Sequence, residues 1–192
     1  CCAAPGSKTT QIAGMMQNRG HIIANDSRHA RLKSLRGNLD RLGVTNTTVT
    51  LRDFKSFPNT EADLYLVDAP CSSEGTIRKK NAVARIWKEK DYDRFNKLQK
   101  GLLNKACEMA PSGSTILYST CTFAPEENEK IISEIINEQK VKVQKSKVNG
   151  LNASSGITEW NGETYDKEVE NCMRIWPHHN DTDAFFIARL EK

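Results

Sequence analysis

A chain of 192 residues suits one core and leaves little room for a second domain. Hydrophobic residues make up 38% and charged residues 27%, with a mean hydropathy of −0.61, the composition of a soluble folded protein rather than a disordered one. The longest apolar runs, such as residues 64–67 and 116–118, fall far short of the roughly 20 residues that cross a bilayer, and no charged start followed by an apolar stretch marks a signal peptide.

The net charge of +4 is mild but uneven. Residues 75–100 carry nine Lys or Arg against three acids, a local charge of +6, and the rest of the chain sums to −2. A surface meeting a polyanion such as nucleic acid and a solvated helix face explain this equally well. The six cysteines contain no CxxC pair, so no zinc site is expected, and a chain of this length needs no disulfide framework. A reducing, cytoplasmic setting with free thiols follows.

In chain order, residues 9–18 read as a short helix after a Pro-Gly turn, and 21–25 as a buried strand. Leu32, Leu35, Leu39 and Leu42 recur at helical spacing and stop at Gly43. Strands are predicted over 48–51 and 64–67, then a long helix over 91–109 with Tyr92, Phe95, Leu98, Leu102 and Ala106 on one face. Another strand spans 114–118. Pro125-Glu126-Glu127 opens a helix buried through Ile131, Ile132, Ile135 and Ile136. A short strand at 141–143, a polar loop over 150–166 and a closing strand over 184–190 complete the chain. Such alternation predicts an α/β fold with a mostly parallel, doubly wound sheet covered on both faces.

Ligands in these folds bind beyond the carboxyl ends of the strands. Asp26, Asp53, Asp68-Ala69-Pro70-Cys71 and Ser119-Thr120-Cys121 each follow a predicted strand, so carboxylates and thiols recur at one rim. Asp53 taken alone reads as a turn cap. The opening run Cys2-Ala3-Ala4-Pro5-Gly6-Ser7-Lys8-Thr9 is a small-residue turn entering a helix, without the glycines of a phosphate-binding Walker loop. With Asp26 placed to accept ribose hydroxyls, it suggests an adenosine-containing cofactor. Cys71 and Cys121 are candidates for a shared pocket and a nucleophile, whereas Cys107 and Cys172 read as buried small hydrophobes. His178 and His179 lack partners at metal-ligand spacing and are given a structural or substrate-facing role.

Together these stretches closely resemble the Sun/Nop family of RNA cytosine-5 methyltransferases, particularly its archaeal members. The resemblance runs almost end to end, through Cys2 to Thr9, Asp26 with Arg31, Asp68-Ala69-Pro70-Cys71-Ser72, Tyr118-Ser119-Thr120-Cys121-Thr122 with Pro125-Glu126-Glu127-Asn128-Glu129, and Thr182-Asp183-Ala184-Phe185-Phe186-Ile187-Ala188-Arg189. It implies a class I, Rossmann-like methyltransferase fold, S-adenosylmethionine as cofactor, and cytosine in tRNA or rRNA as target. It implies Cys121 as nucleophile toward carbon 6, Cys71 as the residue assisting release, and Asp68 as partner of the base and cofactor. DNA cytosine methyltransferases place the nucleophile in the Pro-Cys turn, so the second cysteine after Thr120 favours RNA.

The cofactor falls, by the same resemblance, to Cys2, Ala3, Ala4, Pro5, Gly6, Ser7, Lys8, Asp26, Arg31, Asp53 and Asp68, with Lys8 also near the target base. Arg78, Lys79 and Lys80 would meet RNA phosphates. Ser7 stands where the family carries a second glycine, and the family's first strand, which ends in an acid before Cys2, is missing. Residues 1–192 are accordingly expected to be one methyltransferase catalytic domain truncated at its N-terminus, with open sheet edges. Two other readings compete: a non-catalytic RNA-binding or assembly module, and a methyltransferase for protein or DNA.

Overall fold

In the computed structural model, which describes residues 1–88 and 91–192, the chain divides into two units, Cys1–Asn59 and Thr60–Lys192. Glu89 and Lys90, both counted in the basic stretch, lie outside the described residues.

The first unit begins with a turn that enters α1 (Ser7–Met15), followed by β1 (Ile22–Asp26), α2 (His29–Arg41) and β2 (Thr47–Leu51). β1 and β2 are parallel, in register from Ile22 opposite Thr47 to Asp26 opposite Leu51. Leu32, Leu35 and Leu39 bury the predicted face of α2 in a cluster with Ala4 and Ala24. Leu42, the last member of the predicted stripe, is 53% exposed, because it caps the helix just before Gly43 reverses the chain at φ 63. Helix α1 starts two residues earlier than its pattern predicts and ends before Gln17 and Asn18, which both take left-handed conformations.

The second unit runs β3 (Leu64–Asp68), α3 (Ala82–Ile86), α4 (Asp91–Met109), β4 (Thr115–Thr120), α5 (Glu129–Glu138), β5 (Lys142–Val143), β6 (Ala153–Ser155), β7 (Glu159–Trp160), β8 (Glu163–Thr164), β9 (Met173–Ile175), α6 (Pro177–Asn180) and β10 (Phe185–Glu191). Its six-stranded sheet has the order β3-β4-β10-β9-β6, with β5 beside β10. β3 and β4 are parallel, and β10 is antiparallel to β4, β5 and β9. The parallel character predicted from the alternation therefore holds for β1 with β2 and β3 with β4, while the C-terminal strands reverse. Only residues 176–184 join β9 to β10, too few for the dozen or more of a parallel crossover.

The core of this unit gathers Tyr118, Phe186, Leu103, Ile131, Ile132 and Ile135, all fully buried. Along α4 the buried stripe runs through Gln99, Leu102, Leu103 and Ala106, rotated from the predicted one so that a polar residue, Gln99, faces inward in place of Leu98. A 3₁₀ turn over Pro125–Glu127 precedes α5, so the helix proper starts later than its acidic opening predicts. The predicted polar loop over 150–166 holds β6 and a hairpin of β7 and β8, closed by Asn161-Gly162 with both residues at positive φ. That dipeptide suits the mirror-image turn which matches strand twist. Among the described residues, no helix is long and apolar enough to cross a membrane.

Candidate active site

In the first unit the opening turn is bound to the end of β1. Ala3 donates its N–H to the Asn25 carbonyl at 2.8 Å, and Ala4 donates to Asp26 Oδ2 at 3.1 Å. Asp26 is 2% exposed, accepts from Arg28 N–H at 2.9 Å through Oδ1, and pairs with Arg31 at 3.4 Å. Arg31 also donates to the Ala4 carbonyl. Turn, acid and arginine, separated by up to 27 residues, thus form one cluster. Gly6 permits the turn: its φ is 105, and a Cβ there would lie 2.7 Å from Leu35 Cδ1.

Asp53, after β2, is exposed and caps a 3₁₀ turn by accepting from Lys55 N–H at 3.0 Å. Both carboxylates sit at the carboxyl ends of paired parallel strands, and an ionised carboxylate offers about four acceptor sites. Such acceptors fit a ligand bearing vicinal hydroxyls, as the ribose of a nucleoside cofactor does. Lys8 lies half-buried in the first turns of α1.

In the second unit β3 and β4 pair so that Asp68 lies opposite Ser119, whose hydroxyl donates to Asp68 Oδ1 at 2.9 Å. The chains leaving these two strand ends bring the Cys71 and Cys121 sulfurs to 3.4 Å. The Cys71 thiol is pushed well above its usual range, first by its hydrogen bond with Cys121, then by burial, with the negative charge of Glu127 adding to both. Two adjacent sulfurs do not both ionise, so the pair keeps at least one proton.

Both cysteine turns are clamped from several sides. Ser72 N–H donates to Glu127 Oε2 at 3.1 Å, and Gln99 Nε2 donates to the same oxygen at 2.7 Å and to the Pro70 carbonyl at 2.8 Å. Burial raises the Glu127 carboxyl above its ordinary range, against the lowering effect of the Ser72 and Gln99 hydrogen bonds. The Ser72 and Thr122 hydroxyls meet at 2.7 Å, joining one turn to the other. Gly75 N–H donates to the Cys121 carbonyl at 2.9 Å, and Ala184 N–H donates to the Gly75 carbonyl at 3.0 Å.

Arg78 and Lys79 are exposed beyond the Cys71 turn and pair with Asp181 at 2.7 Å and Asp183 at 2.9 Å; Lys80 beside them is exposed. Cys107 and Cys172 are buried, and burial pushes the Cys107 thiol up to about 12 and raises that of Cys172. The rings of His178 and His179 are 4.1 Å apart in the exposed α6.

Sequence reasoning missed Gln99, Glu127 and Gly75 as parts of this arrangement. Gln99 carries a signal: it is a lone polar residue between apolar positions of a helix, where a buried amide must find partners. Glu127 reads as a helix-start acid, a role that hides its tertiary partners.

A family model described as 16S rRNA methyltransferase RsmB/F matches residues 1–191. The chain is 43% identical to the tRNA (cytosine(49)-C(5))-methyltransferase of Pyrococcus abyssi, over 99% of this chain and 61% of that protein. It is 38% identical to the 28S rRNA (cytosine-C(5))-methyltransferase of Mus musculus, over 100% of this chain and 25% of that protein. The chain therefore spans less than two thirds of these relatives. The crystal structure of NSun6 from Pyrococcus horikoshii with SFG superposes at a TM-score of 0.84 and 32% identity, covering 98% of this chain and 46% of that one. The fold is that of the class I methyltransferases.

Proposed function

Because the chain belongs to the RsmB/F family of rRNA methyltransferases, we propose that it is the catalytic part of an S-adenosylmethionine-dependent enzyme that methylates carbon 5 of cytosine in tRNA or rRNA. The observation that carries this reading is the pair of sulfurs 3.4 Å apart at the ends of two parallel strands, beside the Asp68 carboxylate. Residues 1–192 are read as one methyltransferase domain.

Carbon 5 of cytosine is a weak nucleophile, and a thiolate is the means of activating it. The Cys121 thiolate adds to carbon 6, forming an S–C bond and moving the ring double-bond pair toward carbon 5. S-adenosylmethionine, when bound, supplies an electrophilic methyl group to that carbon. The carbon-5 proton then leaves to a base, its electron pair restores the double bond, and the Cys121 sulfur departs as a thiolate. Asp68 is assigned to hold the base by a hydrogen bond at ring nitrogen 3, across one proton shared between its carboxyl group and that nitrogen.

Cys71 is suited to the release step. Its strongest tie to its own proton is the hydrogen bond to the Cys121 sulfur, and that partner loses its negative charge once it is bonded to carbon 6. The Cys71 thiol is thereby freed to ionise when a base is required. In the first unit, Cys2 to Lys8, Asp26, Arg31 and Asp53 are assigned to the cofactor. The buried Asp26 clustered with the Ala4 backbone supports that assignment.

Covalent trapping tests the reading. Incubated with unmodified tRNA and rRNA transcripts and S-adenosylmethionine, the Cys71→Ala variant should accumulate a protein–RNA adduct on denaturing gels. Cys71→Ala combined with Cys121→Ala should give none, and Cys121→Ala alone should transfer no methyl groups. Absence of adduct together with absence of methyl transfer by the wild type would leave a non-catalytic RNA-binding module as the better account.

A further inference from the structure

We propose that the open cleft lined by Arg78, Phe123, Trp176, Pro177, His178 and Asp181 seats the unpaired nucleotide adjacent to the target cytosine, by stacking its base on the Trp176 and Phe123 rings. The proposal rests on the RNA methyltransferase reading and names a part of the substrate that reading leaves unassigned. The cleft measures about 630 Å³, within the usual range of small-ligand sites.

Its position ties it to the thiol pair. Phe123 lies two residues beyond Cys121 in the same turn. Arg78 follows Gly75, whose N–H reaches the Cys121 carbonyl, while the Gly75 carbonyl accepts from Ala184, just past Asp181. Three wall segments therefore converge within two backbone hydrogen bonds of Cys121. The nucleotide flanking a base at that sulfur is the one assigned to the cleft.

The two rings are packed against each other, so a base laid on an outer face extends an existing stack. Phe123 and Trp176 lie 10° from parallel with centroids 5.7 Å apart, an offset stack, and both are half-buried. Arg174 braces both residues. It is 3% exposed, ion-paired with Glu129, donates to the Phe123 carbonyl at 2.9 Å, and lies 5.3 Å from the Trp176 ring centre. Fixed, partly exposed aromatic rings are what single-stranded nucleic acids stack on, without regard to which base is present.

The charges suit a nucleotide with one phosphate better than a free anion. Arg78 at the rim is paired with Asp181, whose side chain is 89% exposed. Such a surface pair is weak, so the guanidinium can exchange the carboxylate for a phosphate, which it can hold through two parallel hydrogen bonds. Asp181 repels any more extensive anion from the same cleft.

The test uses a nine-nucleotide single-stranded RNA, uridines around a central cytidine, and versions with an abasic residue on either side of the cytidine. Affinity is read by fluorescence anisotropy. Trp176→Ala should weaken binding of the intact RNA by between about 5-fold and about 100-fold, and Trp176→Phe should recover most of it. One of the abasic RNAs should bind the wild type more weakly by a similar factor, yet lose little further affinity toward Trp176→Ala.

Equal binding of intact RNA by wild type and Trp176→Ala, both with unchanged melting temperature, would overturn the proposal. So would an abasic penalty that persists in full in Trp176→Ala. Adduct formation in the Cys71→Ala background separates this proposal from the functional reading. Undiminished adduct with the abasic RNAs and with Trp176→Ala removes the stacking seat alone. No adduct and no RNA binding by any variant removes both.

Discussion

Gly75 shows how a single residue controls the cysteine turns. It is buried, and a Cβ there would lie 2.6 Å from Ala184 Cβ and 2.8 Å from the Cys121 carbonyl oxygen, neither of which is the end of a flexible chain. Gly75→Ala should therefore push the Cys121 turn away from β10. We expect a loss of roughly 1–3 kcal/mol in urea unfolding, the usual cost of overpacking, together with a drop in adduct formation larger than that of an exposed control outside the basic stretch, such as Lys145→Ala. Adduct yield unchanged from wild type would show that the Cys121 turn tolerates displacement. The sequence displayed both thiols and the acids at the strand ends, because those residues are chemically rare in loops. It did not display Gly75, since a glycine needed for close approach looks like any other until its neighbours are placed.

At the scale of elements, α5 and β9 are joined by one buried ion pair. Glu129 and Arg174 side chains are 0% and 4% exposed, and Glu129 Oε1 also accepts from Ile157 N–H at 3.0 Å. Removing one member leaves a charge without its counter-ion in the core, which costs about 3–5 kcal/mol. Arg174→Met should lower the urea midpoint by that measure, and Arg174→Met with Glu129→Leu should recover part of it, because the stranded carboxylate is gone. A double variant as unstable as the single one would show that packing, not charge, sets the cost. Neither partner was legible as a pair. Glu129 reads as a helix-start acid, and β9, only three residues long between the polar segment and Pro177, carries too short a pattern to announce a strand. Helices α2 and α5 were legible because their apolar residues repeat at helical spacing over three turns or nearly so. The β7–β8 hairpin was announced only by Asn161-Gly162, since its polar strands lack any apolar alternation.

Across the whole molecule the charge is segregated, with the positive excess in residues 75–100. Part of that excess is paired: Arg78 and Lys79 meet Asp181 and Asp183, so fewer charges remain for a polyanion than the sequence count suggests. If this surface neutralises RNA phosphates, changing Arg78, Lys79 and Lys80 to Ala should flatten the plot of log affinity against log salt. The slope should fall by about 0.7 for each phosphate of single-stranded RNA left without its cation, and by about 2 at most for all three. Binding of S-adenosylmethionine, measured by calorimetry, should not change. Parallel salt plots for variant and wild type would return the basic stretch to an ordinary solvated face.

The sequence by itself determined the types of α1, α2, α4 and α5 and of β1 to β5 and β10, the parallel character of the pairing among the early strands, and the chemistry gathered at their ends, because periodicity and rare reactive residues are local properties of the chain. Tertiary structure alone decided that the C-terminal strands reverse direction, that Cys71 and Cys121 lie 3.4 Å apart, and that Gln99, Glu127 and Gly75 clamp their turns. The physical reason is separation. The side-chain bonds of this clamp join positions 28 to 55 residues apart in the chain, and no local pattern records which distant partner satisfies a buried donor or leaves room for a backbone.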